Sequence, residues 1–183
     1  MKIISITKGI KYILIVFAFS CLLHNNNSYP QNKNRHNYHS LNDSTLMHRQ
    51  HMIHMESPTV MPFNMDKVTH YFIKNDQGGV LMIKTKDMND TTQAKLIQKH
   101  LKKEYKLFSQ ADFRDPKSLH GKNMPGLKIL SESKGKFIVE YKELAYGAQL
   151  TFSSKESEVI DAIHKWFEAQ LKDHGTDAKS SLN

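Results

Sequence analysis

The sequence predicts an α+β domain: a ββα-ββα pseudo-repeat folded as a four-stranded antiparallel sheet with two helices on one face. Three observations predict it. Two pairs of short runs rich in β-branched and aromatic residues are each closed by a turn. Each pair is followed by a stretch with helical spacing of apolar residues. The two halves are also alike in detail: "GGVLMIKTKD" lines up with "YGAQLTFSSK", and "IQKHLKKEYKLF" with "IHKWFEAQLKDH".

In the first half, "VTHYFIK" and "VLMIKTK" read as strands, with Gly78-Gly79 expected to supply the turn conformations that other residues avoid. In "DTTQAKLIQKHLKKEYKLF", Ala94, Ile97, Leu101 and Phe108 recur at helical spacing, and Asp90 is placed to cap the start. "ADFRDPKSLHGKNMPGLKIL" reads as a long connector, punctuated by Pro116, Gly121, Pro125 and Gly126. In the second half, "KFIVEYKEL" and "AQLTFSS" form a hairpin around "AYG". A helix follows, for which Ser153 and Glu156 suggest a capping box, Ile160, Ile163, Phe167 and Leu171 a buried stripe, and Gly175 the end. The domain is expected to span residues 65–178, with a tail at 179–183.

What precedes the domain has another character. Lys2, Lys8 and Lys11 lead into "YILIVFAFSCLL", an apolar run of about 12 residues, in the range of a secretory leader and too short to span a bilayer. Small residues at Ala18 and Ser20 suit a signal-peptidase site, so residues 1–20 are expected to be a leader and Cys21 the first mature residue. Cys21 is the only cysteine. It is either an incidental apolar residue of the leader or a lipidated N-terminus, for which "AFSC" resembles a bacterial lipobox. Lipidation would place the protein in the cell envelope, as a periplasmic or outer-membrane lipoprotein held to the membrane by its anchor. A single thiol excludes an intramolecular disulfide.

Residues 21–64 are expected to be a disordered tether. "HNNNSYPQNKNRHNYHSLND" carries too few branched or aromatic residues to offset the entropy of ordering it. Its second part, "MHRQHMIHMESPTVMPFNM", holds three histidines and five methionines with neither helical nor strand periodicity. The formal net charge of the chain is +8, and the lysines are dispersed rather than clustered with aromatics. Nucleic acid is therefore not an expected partner.

At "DFRDPKSLHGKNMPGL" and "AIHKWFEAQLKDHGTDA" the chain resembles a family of small exported bacterial proteins that has no assigned activity. The resemblance covers about Met61 to Ala178 and falls on His70, Gly78, Gly79, His100, Leu101, His120, Gly121, Met124, Pro125, Gly126, His164, Trp166, Phe167, Asp173, His174 and Gly175. It also implies His- and Met-rich sequence ahead of the domain, but no activity, so function rests on the chemistry of the residues.

Thioether and imidazole donors together suit soft ions such as Cu(I) and Ag(I). Met47, His48, His51, Met52, His54 and Met55 are the candidate donors of the tether, where a short His-rich tract is a compositional signal. A second candidate site joins His120 and Met124, four residues apart, with His164 or His174. The plain alternatives are a spacer for the tether and hydrogen-bonded boundary histidines for the domain. His70, on a strand face with Val68 and Phe72, reads as a satisfied core histidine. No Gly-rich phosphate loop, HExxH, G-x-S-x-G elbow or cysteine nucleophile is present, so the expectation is a non-catalytic binding protein handling copper or silver. The alternative is a lipid-anchored module that binds an unidentified envelope protein, with no metal role.

Overall fold

The computed structural model describes residues 43–182. The expected leader, Cys21 and the first part of the expected tether lie outside the described residues. The fold is α+β, with five α-helices and a five-stranded mixed sheet in the order β3-β4-β2-β1-β5.

Strands β1 (Val68–Asn75) and β2 (Gly78–Thr85) form the first hairpin, and β3 (Phe137–Leu144) and β4 (Gly147–Ser154) the second. The hairpins join through their second strands, antiparallel, with Gly78 opposite Ser153 and Ile83 opposite Ala148. The turn between β1 and β2 is made by Asp76 and Gln77, not by the glycine pair. Gly78 serves close approach instead: at φ +143°, a Cβ there would lie 2.4 Å from the carbonyl oxygen of Phe152 on β4. The expected four antiparallel strands are supplemented by β5 (Ala178–Lys179), which runs parallel to β1 with Ala178 opposite His70. Two residues without alternation give no strand signal; this pairing follows from where Gly175 ends the preceding helix.

The helix after the first hairpin is Thr91–Phe108, and Asp90 caps it by accepting a hydrogen bond from the Gln93 backbone N–H at 3.0 Å. The helix after the second hairpin, Ser157–His174, starts without the expected capping box. Ser153 remains in β4, and the Ser154 hydroxyl accepts instead from the Glu156 N–H at 3.1 Å. Its buried stripe is centred on Trp166, with Val159, Ile163 and Phe167, while Ile160 and Leu171 are half-buried. Gly175 ends it at φ +55° and returns its N–H to Leu171.

Two further corrections concern segments read as irregular. The connector forms two short helices, Arg114–His120 and Leu127–Glu132, with Pro116 in the first turn of the former, where its missing N–H costs nothing. The expected tether is helical at Asp43–Glu56 and leads into the core through Met61, Phe63 and Met65, all buried. In chain order the helices are therefore α1 (Asp43–Glu56), α2 (Thr91–Phe108), α3 (Arg114–His120), α4 (Leu127–Glu132) and α5 (Ser157–His174).

α1 has no Pro or Gly across its length, and Asp43 in its first turn complements the helix dipole. Only Ile53 of this helix is buried, so its apolar pattern is faint; polar bonds dock it. Arg49 forks onto Asp173, and the Gln50 amide donates to the Lys172 carbonyl at 2.8 Å.

Each long helix lies over the hairpin that does not precede it: α2 packs on β4 and β3, and α5 on β1 and β2 and against α4. Between them Trp166 is fully buried, with Phe108, Phe113 and Phe152 all edge-on to it at centroid distances of 5.4 to 5.6 Å. Gly126 permits α4 to approach α5, since a Cβ there would stand 2.1 Å from the Ala162 carbonyl oxygen. Among the described residues no helix is long and apolar enough to cross a membrane.

Candidate functional site

Polar side chains break into the apolar faces of three elements at one place. On β1, His70 alternates with Val68 and Phe72 on the buried face. On α2, His100 and Glu104 lie one turn apart within the stripe formed by Ile97, Leu101 and Phe108. On α5, Gln170, Asp173 and His174 continue the stripe begun by Trp166. α3 brings His120 to the same region. A cavity of about 50 Å³ lies among them, lined by His70, His100, Glu104, His120, Gln170 and His174 together with apolar side chains. One water needs roughly 10–15 Å³ on such a measure, so the space admits a few waters or one hydrated ion.

His70 is 3 % exposed, and neither of its ring nitrogens has a hydrogen-bond partner in the protein. The expectation of a satisfied core histidine is therefore corrected: β1 points the ring into a cavity rather than at a carbonyl. The His174 ring stacks on it at 4.6 Å between centroids, and His120 meets His174 at 5.2 Å. Burial holds His70 well below the ordinary imidazole range, with His174 adding to the effect. Burial likewise brings His174 down to about 3 and His100 to about 4. These three imidazoles are neutral at physiological pH and retain a lone pair each.

His120 is differently placed. Its Nδ1 lies 2.9 Å from Asp173 Oδ2, and because an ionised carboxylate only accepts, Nδ1 carries the proton of that bond and Nε2 is the ring nitrogen that Asp173 does not use. Asp173 is buried, which on its own raises a carboxyl pKa; hydrogen bonds from His120 and Arg49 outweigh that and hold it below the usual range. Arg49 contributes two bonds to Asp173 at 2.6 Å and one to the His120 carbonyl at 2.9 Å. α1 thus reaches across to fix the orientation of a cavity histidine.

At the other wall, neither oxygen of Glu104 meets a hydrogen-bond donor. Burial, and then the neighbouring Asp115, push its pKa up to about 8. Held neutral in this way, Glu104 is spared the cost of a buried charge, although its oxygens meet no donor. Burial opposes ionisation of Asp115, but the Glu104 proton and the Lys103 ammonium hold it below the ordinary carboxyl range. His100 Nδ1 stands 4.0 Å from Glu104. The cavity therefore offers neutral imidazoles on one side and a carboxylic acid on the other.

The residues singled out from the sequence are distributed differently from their expected grouping. Met47, Met52 and Met55 are 68 %, 42 % and 61 % exposed on α1, where His48 and His51 are exposed as well. At 3.6 residues per turn these five fall within about 140° of the helix circumference, opposite Ile53. His54 leaves that group: it turns toward the domain between Asp66 and Asp177, 3.6 Å from each. Met124 is buried and lines a surface groove that His120 borders, not the histidine cavity. His164 lies apart from His120, at the β1–β2 turn, where its Nε2–H is shared between the carbonyls of Asn75 and Gly78 at 3.0 and 2.9 Å. Of the domain candidates, His120 and His174 come together. Among the described residues no group of three or more His, Cys, Asp or Glu side chains is arranged, as the side chains stand, to hold a metal ion.

No family model, curated protein or solved structure matches the chain.

His70, His100, Glu104, Asp115 and Arg49 were not among the expected site residues. His70, His100 and Glu104 carried a signal, since each is a polar residue within a stripe otherwise apolar, whereas Asp115, in the connector, did not. Arg49 carried none, because its partner Asp173 lies 124 positions along the chain.

Proposed function

We propose that the protein is a non-catalytic, soft-metal-binding protein of the cell envelope, and that the outer face of α1 takes up Cu(I) or Ag(I). One observation carries this reading: three methionines stand in solvent on a single helical face, interleaved with two exposed histidines. None of the three methionines is taken up by the core, so their thioethers, each able to gain roughly 1.5–3 kcal/mol on full burial, are left open to a ligand instead. Met47 with His51, His48 with Met52, and His51 with Met55 are all four residues apart. At that spacing side chains are neighbours, with about 5–6 Å between Cβ atoms. Two or three such donors satisfy the low coordination number of Cu(I), and the thioether matches its softness. The basic, apolar leader and Cys21 support an envelope location with a lipid anchor.

The test is competition for Cu(I) against a chromogenic chelator, using the full chain and a variant with Met47, His48, His51, Met52 and Met55 replaced by Ala. The parent is expected to withdraw copper from the chelator. The variant should lose at least tenfold in affinity with an unchanged circular dichroism spectrum. Equal binding by both proteins overturns the assignment to α1; no binding by either leaves the envelope interaction module as the better reading.

A further inference from the structure

We propose that the internal cavity is a second and separate metal site, in which His70, His120 and His174 bind one divalent first-row ion such as Zn²⁺. The strongest sign is the state of His70. A neutral imidazole has one donor and one acceptor, and here both are buried without a partner. Leaving each unmet costs about 1–3 kcal/mol, and an ion on the lone pair would remove the larger share of that cost by taking one nitrogen, with the N–H left to cavity water. Buried water is the plain candidate; three features favour an ion.

The first is spacing. A tetrahedral zinc holds imidazole nitrogen at about 2.0–2.1 Å, which sets two ring centres on one ion about 5 Å apart. Two of the three pairs stand at that spacing, His70 and His174 at 4.6 Å and His120 and His174 at 5.2 Å, with His174 the ring common to both.

The second is the support of one ligand from behind. A metal-bound histidine characteristically gives its other ring N–H to a carboxylate, which is itself held. His120 donates to Asp173, and Arg49 grips Asp173 by two bonds. That network leaves His120 Nε2 free to bind and fixes the ring.

The third is the donor set. Three imidazoles suit Zn²⁺, Co²⁺ or Cu²⁺ better than the harder Mg²⁺ or Ca²⁺, and better than they suit the thioether-seeking ions assigned to α1. Three histidines with a fourth position open is a known zinc arrangement. As placed, His70 and His174 are nearly parallel, 19° apart, so their lone pairs do not converge. Binding requires both rings to turn about χ2, a broad torsion in histidine, while His120 stays anchored.

The experiment uses the full chain with the five α1 donors replaced by Ala, freed of metal by chelation and then titrated with Co²⁺. The inference predicts one equivalent bound, with the intense visible absorption of four-coordinate cobalt, reversed by Zn²⁺. His70→Ala and His174→Ala should each weaken binding at least tenfold, and Asp173→Asn by about 10–100-fold. Should the alanine variants fail to fold, X-ray absorption of zinc bound to the parent cavity remains decisive: three imidazole ligands are expected. Absence of stoichiometric binding, the weak spectrum of six-coordinate cobalt, or fewer than three imidazoles on the ion overturns the site and leaves a water-filled cavity. These outcomes do not depend on whether α1 binds copper.

Discussion

His120 donates its Nδ1–H to Asp173 across 2.9 Å, joining the end of α3 to the last turn of α5 over 53 positions of sequence. Asp173 is almost inaccessible, and its remaining charge is met by Arg49 from α1. One carboxylate thus ties together the helix ahead of the domain, the connector and the C-terminal helix.

Arg49→Ala should consequently destabilise the fold although Arg49 is 42 % exposed. The loss comes from Asp173, left buried with one partner fewer, and is expected at about 1–3 kcal/mol. Urea unfolding measures it. Arg49→Ala combined with Asp173→Asn should cost less than the sum of the two single changes, and strict additivity would show that the pair is not coupled.

A chain beginning at Met65 lacks Ile53, Met61 and Phe63, all of which are buried. Removing a large side chain from a core costs about 2–5 kcal/mol, and three such losses approach the whole stability of an ordinary domain, about 5–15 kcal/mol. A chain beginning at Asp43 should melt cooperatively. One beginning at Met65 should melt far lower or show no transition, and equal melting temperatures would return residues 43–64 to the role of a tether.

In metal-free protein, stability should pass through a maximum near pH 6.5. Glu104 has a pKa of about 8 in the fold against an ordinary 4.5, so its contribution is complete below 4.5 and is lost as pH rises toward 8. His100 and His174, at about 4 and about 3 against 6.5, act in the opposite sense. The unfolded chain takes up protons that the fold refuses, and stability is lost as pH falls below 6.5. Above the maximum Glu104 acts alone among these groups, with a slope of at most about 1.4 kcal/mol per pH unit. Glu104→Gln should flatten the arm between pH 6.5 and 8 and steepen the acid arm between pH 4.5 and 6.5, where Glu104 opposes the two histidines; an unchanged alkaline arm would show that Glu104 is ionised in the fold.

His164→Ala removes a donor shared by two carbonyls at the β1–β2 turn. A loss of about 1 kcal/mol is expected, with Cu(I) and Co²⁺ binding unchanged. A fall in the affinity for either ion would make His164 a ligand and not a clamp.

The sequence by itself determined the α+β class, the two hairpins, the two long helices and the Asp90 cap. Each depends on residues near one another in the chain: alternation in Val68–Asn75, the spacing of Ala94, Ile97, Leu101 and Phe108, a side chain three residues from the N–H it meets. Tertiary structure decided what needed distant partners. α1 has a single buried residue and is held by Asp173 and the Lys172 carbonyl, so its own composition reads as a tether. β5 exists only because β1 is there to pair with. The cavity draws His70 from a strand and His100, His120 and His174 from three different helices, and no spacing within the chain encodes that they meet. What was legible was the intrusion of His70, His100 and His174 into apolar stripes. That they share one space is a property of how each long helix lies over the other hairpin.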